Sequence, residues 1–167
     1  MTEHDSSIHT ETRALEGADE VHFCADLMAN TEPWITLGRT YEDSVKIVTH
    51  PAREVYVALV EGELVGFTIL QTQGTFVGYI QTVAVRAKWR GKGIGSKMIK
   101  AAEDRIFGEF PNSFITVSSF NQGAQELYQR LGYEVVGELK DFIIRGHSEL
   151  LMRKTIGPLA EYHSARH

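Results

Sequence analysis

Residues 83–96 read Val-Ala-Val-Arg-Ala-Lys-Trp-Arg-Gly-Lys-Gly-Ile-Gly-Ser, and no other stretch of the chain is as informative. An apolar run from Tyr79 to Val85 leads into it, and a helical pattern follows from about Ser96. Glycines let the main chain approach a phosphate closely because they lack a Cβ. The first amides of a helix also have no partner within the helix. The order of strand, glycine-rich turn and helix therefore predicts a site for a phosphorylated ligand at residues 90–96.

Two other phosphate-binding motifs fit this loop poorly. The dinucleotide fingerprint requires a glycine where Ser96 stands and an acidic residue about 20 positions further on, but residues 110–113 read Phe-Pro-Asn-Ser. The loop of nucleotide hydrolases requires Lys-Ser or Lys-Thr after its last glycine, which is absent. An ordinary strand-to-helix turn is the simplest alternative. Three glycines beside Arg90 and Lys92 are more than such a turn needs.

A second motif lies downstream of the loop. The loop itself has the spacing Arg-x-x-Gly-x-Gly, with Arg90, Gly93 and Gly95, and residues 121–133 read Asn-Gln-Gly-Ala-Gln-Glu-Leu-Tyr-Gln-Arg-Leu-Gly-Tyr. In this order and spacing, the two motifs resemble the signatures of the GNAT superfamily of acyl-CoA-dependent N-acyltransferases. With the strands around them, they extend the resemblance over residues 54–155.

The alternation of strand and helix patterns predicts a layered α/β (α+β) domain. The resemblance implies a GNAT-like fold, with a twisted, mostly antiparallel mixed sheet flanked by helices. It also implies one parallel strand pair, near Val85 and Ser118, that splays apart to admit the pantetheine arm of the cofactor. Periodicity and caps predict helices at 19–30, 41–49, 93–107 and for about a dozen residues from 121, and strands at 10–15, 54–60, 64–71, 79–86, 114–119, 133–137 continuing irregularly through 140–144, and 149–155.

The resemblance implies acetyl-CoA as the cofactor, with loop amides around its pyrophosphate. The main chain of residues 83–85 would pair with the pantetheine amides and supply the oxyanion donor. Asn121 resembles the family residue that contacts the pantetheine or adenine-diphosphate arm, and it also fits a helix cap. The residues assigned to the cofactor are Val83, Ala84, Val85, Arg90, Gly91, Lys92, Gly93, Ile94, Gly95, Ser96, Asn121, Ala124 and Tyr128.

Tyr128 is the first candidate catalytic residue. Acyl transfer to an amine needs a neutral amine, a donor to the oxyanion and a proton for the leaving thiolate. By resemblance, Tyr128 matches the family tyrosine that protonates the CoA thiolate, and a phenol is neutral at pH 7. The alternative is a core tyrosine, because Leu127 and Leu131 indicate that this helix has a buried face.

The general base is not evident. Many family members place a glutamate on one of two strands, but here residues 79–85 and 114–119 contain no carboxylate. Gln81 and Ser118 are therefore predicted to hold a water that carries the proton away. More distant alternatives, each expected to be a surface group, are Glu149, Asp141, Glu32 and His147.

The resemblance places the acceptor pocket between the first two helices and the late loops. Trp34 could stack on a substrate or pack beneath a loop. Glu32 could pair with a cationic amine or face solvent. The region near Phe142 completes the predicted pocket. These residues do not identify the acceptor.

Composition narrows the class of protein. The net charge of −5 argues against a nucleic-acid partner, although six cations crowd around the loop and suit a small polyanion. The single cysteine, Cys24, excludes an internal disulfide and is expected to be a buried hydrophobe. No run predicts a membrane span or a secretory signal, so a cytoplasmic location is expected. The seven histidines are scattered, so no metal site is predicted.

The length predicts one domain at residues 11–156, between a flexible N-terminus at 1–10 and a C-terminal tail at 157–167. Exposed strands in the family pair subunits, so a homodimer is one expectation. The leading function is transfer of an acetyl group from acetyl-CoA to a primary amine of a small molecule or a protein. A non-catalytic acyl-CoA-binding regulatory module is the alternative, favoured by the missing strand carboxylate. A nucleotide-dependent enzyme ranks third.

Overall fold

The fold is a seven-stranded mixed sheet with helices on both faces. A computed structural model describes residues 7–164, and the strand order is β1-β2-β3-β4-β5-β7-β6. The strands are β1 (Glu11–Ala14), β2 (Arg53–Val60), β3 (Glu63–Gln71), β4 (Tyr79–Val85), β5 (Asn112–Ser118), β6 (Glu134–Lys140) and β7 (Ser148–Thr155). The helices are α1 (Gly17–Ala29), α2 (Tyr41–Val48), α3 (Ile94–Phe107), α4 (Gln122–Arg130) and α5 (Leu159–Ser164).

The only parallel strand pair within residues 7–164 is β4 with β5, and it is short. Tyr79 pairs with Phe114 and Ile80 pairs with Ile115, and the pairing goes no further. β3 continues antiparallel along the other side of β4, and β7 continues along the other side of β5. The two strands therefore diverge towards their carboxyl ends, which confirms the predicted fold class and splayed pair.

Side-chain alternation on the central strands forms a core on each face of the sheet. Phe67 and Ile69 of β3 pack with α1 and α2 residues in one cluster. Leu70 and Ile80 pack with α3 residues, including Ile106, in another. Each large buried apolar side chain contributes about 1.5–3 kcal/mol. The two layers of helices thus hold the central strands, and the splayed ends of β4 and β5, in fixed positions.

The predicted bounds of the first helix and of the strand after α4 are wrong. Helix α1 begins at Gly17 rather than after a cap at Asp19, because the Glu20 carboxylate accepts the Glu16 amide at 2.7 Å. Strand β6 ends at Lys140, because Asp141 turns with a φ of 52° and its carboxylate accepts the Gly146 amide at 2.6 Å. The predicted C-terminal tail contains α5.

The N-terminal prediction is tested only in part. Residues 1–6 of the segment predicted to be flexible lie outside the described residues. Ile8 packs against the cluster that contains Met98 of α3, and its carbonyl accepts a hydrogen bond from Lys97. The proposed domain limits remain a prediction from the sequence.

Gly66 is required where β3 lies close to β4. A Cβ at Gly66 would lie 2.4 Å from the Ala84 carbonyl oxygen, whereas one at Gly137 of β6 would meet nothing within 4 Å. We expect Gly66→Ala to lower the free energy of unfolding by about 2 kcal/mol through overpacking, and Gly137→Ala to change it by less than about 0.5 kcal/mol. Urea unfolding of both variants measures the difference, and equal midpoints would contradict it.

Candidate active site

A cleft of about 1170 Å³ opens where β4 and β5 diverge. It is bordered by the α1–α2 connection, the loop before α3, helix α4 and the turn after β6. Every residue predicted for the site lines this cleft except Lys92. The Lys92 side chain is exposed on the loop and lies outside the cleft, so only its main-chain amide is available to a ligand there. The residues predicted for the site therefore lie together around one cleft, and their roles stay predictions from the sequence.

The loop before α3 presents unpaired amides. Gly91 and Gly93 have φ values of 71° and 79°, a left-handed conformation that glycine adopts without strain. The amides of residues 91–96 have no main-chain partner in the described part of the chain, and the first helical bond runs from the Lys97 amide to Gly93. The amide of Arg90 is the exception, because it donates to the Ala87 carbonyl at 3.2 Å. The predicted group of free amides therefore begins at residue 91.

Most cations near the loop have partners of their own. Arg86 and Lys88 both pair with Glu63, and Lys100 pairs with Asp104. Arg90 forms no ion pair within residues 7–164, and its Nε donates to the Val85 carbonyl at 3.1 Å. Fewer cations are therefore free to attract a ligand than the six near the loop in the sequence suggested. Arg90 is the main one at the cleft.

The main chain of β4 faces the cleft beyond Ile80. Pairing with β5 ends there, so the groups of residues 81–85 on that side have no strand partner. A β-bulge interrupts the pairing with β3 at Gln81, since Leu70 pairs with Ile80 and Ile69 with Thr82. Bulges change the direction of a strand and are frequent beside active sites. This segment can therefore offer main-chain donors to a bound ligand.

Tyr128 lies on α4 at the wall of the cleft. Only 7% of the residue is exposed, and its hydroxyl forms no hydrogen bond with another residue of the described chain. Burial raises the pKa of Tyr128 well above the ordinary value for tyrosine, and the neighbouring Tyr79 raises it further. The phenol is therefore held neutral, as a proton donor must be. Asn121 caps the same helix by accepting the Ala124 amide at 3.2 Å.

Glu149 brings a carboxylate into the cleft from a third strand, although β4 and β5 contain none. It lies on β7 directly opposite Ser118 of β5, and the Ser118 hydroxyl donates to Glu149 Oε1 at 2.6 Å. Only 4% of Glu149 is exposed, and it lines the cleft. The prediction that Glu149 is a surface group is wrong, because antiparallel pairing of β7 with β5 brings it inside.

The surroundings of Glu149 shift the pKa of its carboxyl group. Burial raises the pKa of Glu149, while the Ser118 hydrogen bond and the nearby His147 oppose the shift. Oε2 of Glu149 has no hydrogen-bond partner among residues 7–164. Gln81 lines the same cleft, and its Oε1 accepts a hydrogen bond from Gln71 at 3.0 Å. Among Gln81, Ser118 and Glu149, only Glu149 has a free carboxylate oxygen that can accept a proton.

The predicted acceptor residues line the cleft but differ in how available their side chains are to a ligand. Trp34 is half-buried against the core cluster of α1 and α2. The Glu32 carboxylate accepts the Thr36 amide at 3.1 Å and its hydroxyl at 3.0 Å, so it supports the turn. Phe142 is 58% exposed in the turn after β6. Sequence reasoning missed Arg39, which also lines the cleft, and nothing in its local sequence distinguishes it from a surface arginine.

The lone cysteine and the other potential metal ligands lie apart from this chemistry. Burial raises the pKa of Cys24 to about 12, so this thiol is a protonated core residue as predicted. Among residues 7–164, no set of three His, Cys, Asp or Glu side chains is placed to hold a metal ion. No helix in that range has both the length and the apolar character needed to cross a bilayer.

Comparison with known proteins gives consistent matches. A family model described as the acetyltransferase (GNAT) family matches residues 20–133. An uncharacterized N-acetyltransferase of Methanocaldococcus jannaschii is 33% identical over 101 residues, which is 59% of this chain and 64% of that protein. A spermine/spermidine N(1)-acetyltransferase of Bacillus subtilis is 32% identical over 60% of this chain and 75% of its own length. The chain thus covers less than two thirds of the first relative.

A solved structure has the same fold. The crystal structure of an aminoglycoside 6'-N-acetyltransferase complexed with coenzyme A matches with a TM-score of 0.71 at 19% identity, covering 89% of this chain and 98% of that one.

Proposed function

The chain belongs to the acetyltransferase (GNAT) family, and from this premise we propose that it transfers the acetyl group of acetyl-CoA to a primary amine by direct attack in a ternary complex. One observation carries the proposal. Free amides at residues 91–96 open onto a cleft that also contains a neutral buried phenol, Tyr128, and a buried carboxylate, Glu149.

The loop and β4 would hold the cofactor. A pyrophosphate suits the unpaired amides of residues 91–96 at the positive end of α3, with Arg90 beside them. The pantetheine arm would follow the free edge of β4, where residues 83–85 offer main-chain groups in place of the missing β5 partner. Val83, Ala84 and Val85 would act through their main chain, and Asn121 and Ala124 would border the arm on α4.

The proposed reaction proceeds in one active site. The neutral amine nitrogen attacks the thioester carbonyl carbon, and a main-chain amide of β4 stabilises the resulting oxyanion. Collapse breaks the C–S bond, and Tyr128 donates its proton to the leaving thiolate. Glu149 accepts the proton lost by the amine, directly or through a water between it and Gln81. Glu149 thus replaces the relay from Gln81 and Ser118, and Ser118 becomes its positioning residue.

The regulatory-module alternative loses its main support. That hypothesis relied on the absence of a carboxylate from β4 and β5, and Glu149 enters the cleft from β7 instead. Release of free thiol from acetyl-CoA with a panel of amines, followed by the product mass, tests the enzyme directly. Binding of acetyl-CoA with no turnover on any amine would favour the module, and binding of ATP or NAD without CoA would favour a nucleotide-dependent enzyme.

The proposal includes a cytoplasmic location and a pairing of two copies. Strand β6 forms an edge of the sheet, and Val135 and Val136 on it are about half exposed. Such an edge supports pairing with another strand. The molar mass in solution would measure it.

Gly95→Ala separates cofactor binding from folding. A Cβ at Gly95 would lie 3.8 Å from Leu127 and 3.9 Å from Val85, so the protein accommodates it, and alanine favours a helix by about 0.5–1 kcal/mol. The methyl group would nevertheless occupy the cleft beside the free amides. We expect the KM for acetyl-CoA to rise about 10-fold, which corresponds to about 1.4 kcal/mol, with a melting temperature no lower than that of the wild type. Gly137→Ala, outside the cleft, should leave the KM unchanged. An unaltered KM in Gly95→Ala would place the cofactor elsewhere.

A further inference from the structure

We propose that the acceptor amine also carries a carboxylate and that Arg39 binds it. The inference rests on the proposed function and names the substrate class of the same cleft. It predicts an amino acid or a closely similar compound as the acceptor.

Arg39 is held at the cleft by its own segment. It follows the turn that connects α1 with α2, and its amide donates to the Trp34 carbonyl at 2.9 Å. Leu37, two residues earlier, is buried and lines the cleft as well. Arg39 itself is half-buried. Its position in the cleft wall is therefore fixed by the surrounding turn.

The guanidinium of Arg39 has no partner within residues 7–164. It forms no hydrogen bond and no ion pair there, although guanidinium groups at partly buried sites are usually paired. The acids near it are engaged elsewhere. Asp43 completes the capping box of α2 with Thr40, and Glu32 accepts two hydrogen bonds from Thr36. A bound anion would supply the hydrogen-bond partner that the Arg39 guanidinium lacks.

A second cation, Arg53, lies outside the cleft but within electrostatic range of Arg39. Arg53 donates from Nη1 to the Ile47 carbonyl at 3.3 Å, but its Nε is buried with no partner. Burial lowers the pKa of Arg53, and the charge of Arg39 lowers it further. Arg53 therefore adds to the positive potential near Arg39 and does nothing to neutralise it.

The cofactor phosphates do not supply this anion. Arg39 is hydrogen-bonded through its amide to Trp34 of the α1–α2 connection and lies within electrostatic range of Tyr79, the first residue of β4, whereas the glycine loop follows Val85 at the other end. Six residues of strand separate these ends by roughly 20 Å. Arg39 is therefore at the acceptor end of the cleft.

The same end contains the proposed base. Burial raises the pKa of Tyr79, and among charged groups Glu149 raises it while Arg39 lowers it. Both charges therefore lie within electrostatic range of the Tyr79 hydroxyl. An amine at Glu149 and a carboxylate at Arg39 complement this pair, and the planar fork of arginine matches a carboxylate. A polycation such as a polyamine would instead meet an uncompensated positive charge.

Matched acceptors test the inference. Thiol release with acetyl-CoA is measured for a set of amino acids, for the carboxamide of each, and for spermidine. We expect kcat/KM for the acids to exceed that for their amides at least about 10-fold. Arg39→Gln should lower kcat/KM for the acids about 10–100-fold, as expected for a lost charge-assisted bond, and leave the amides unchanged. Arg39→Lys should recover part of the loss. Lys46→Gln, which removes an exposed charge from α2, should change neither ratio.

Other results distinguish failure of this inference from failure of the proposed function. A preference for amides or spermidine that survives Arg39→Gln would overturn the inference and leave acetyl transfer intact. Preference for aminophosphonates or aminosulfonates over amino acids would also overturn it. If no amine is acetylated, the proposed function fails. Calorimetry with the CoA-loaded protein then decides the inference separately, because amino acids should still bind more tightly than their amides.

Discussion

Tyr128→Phe is expected to reduce kcat about 100–1000-fold while leaving the KM for acetyl-CoA within about two-fold of the wild-type value. General acid catalysis contributes about 10²–10⁴-fold, and the substitution removes only the hydroxyl. The ring keeps its place in the core cluster, where its centroid lies 6.3 Å from the centroid of the Tyr133 ring. Because the Tyr128 hydroxyl has no hydrogen bond within residues 7–164, its removal should cost little stability. Steady-state kinetics and thermal unfolding measure the two effects.

Tyr133→Phe is the matched control. Tyr133 is a buried tyrosine of the same cluster, but it does not line the cleft, and its hydroxyl is hydrogen-bonded to Ser113 at 2.8 Å. Loss of that bond should lower the free energy of unfolding by about 1–2 kcal/mol with little change in kcat. Tyr128→Phe should thus lower kcat and keep the stability, whereas Tyr133→Phe should lower the stability and keep kcat. A Tyr128→Phe enzyme with full kcat would assign the thiolate proton to another donor.

The end of the cleft proposed for the cofactor was predictable because its signals are local. The left-handed conformations of Gly91 and Gly93, the start of α3 and the Asn121 cap each depend on a few consecutive residues. The paired amide of Arg90 was not foreseen, because it results from a short 3₁₀ turn over Ala87–Trp89. Local sequence cannot show which of the loop amides that turn uses.

The end of the cleft proposed for catalysis and acceptor binding depends on contacts between distant segments. Glu149 reaches the cleft only because β7 pairs with β5 in the register that places it opposite Ser118. A single glutamate before an apolar strand gives no sign of this. Arg39 likewise depends on how the α1–α2 connection folds over β4. Composition and periodicity describe a strand or a loop, whereas burial of one charged group depends on the complete sheet order.

Glu149→Gln is expected to reduce kcat about 100-fold and to remove the acidic limb of the pH–rate profile. The carboxylate form must accept the proton, so activity should rise as pH increases through the pKa of Glu149. Burial raises that pKa, which moves the limb above the ordinary range for glutamate. Glutamine keeps the volume and the hydrogen bond from Ser118, but it cannot accept a proton. Glu138→Gln on the exposed side of β6 should leave kcat and the limb unchanged.

Ser118→Ala tests the same assignment through the direction of a shift. The Ser118 hydroxyl donates to Glu149 and stabilises its charged form, which lowers the pKa. Removing that donor should raise the pKa of Glu149 further, so the acidic limb should move to higher pH. The rate above the limb should stay within a few-fold of wild type, since the carboxylate remains. If Ser118 instead held a relay water with Gln81, its loss would lower the rate at every pH and leave the limb in place. The pH dependence of kcat in Ser118→Ala and Glu149→Gln therefore distinguishes a positioned base from a water relay.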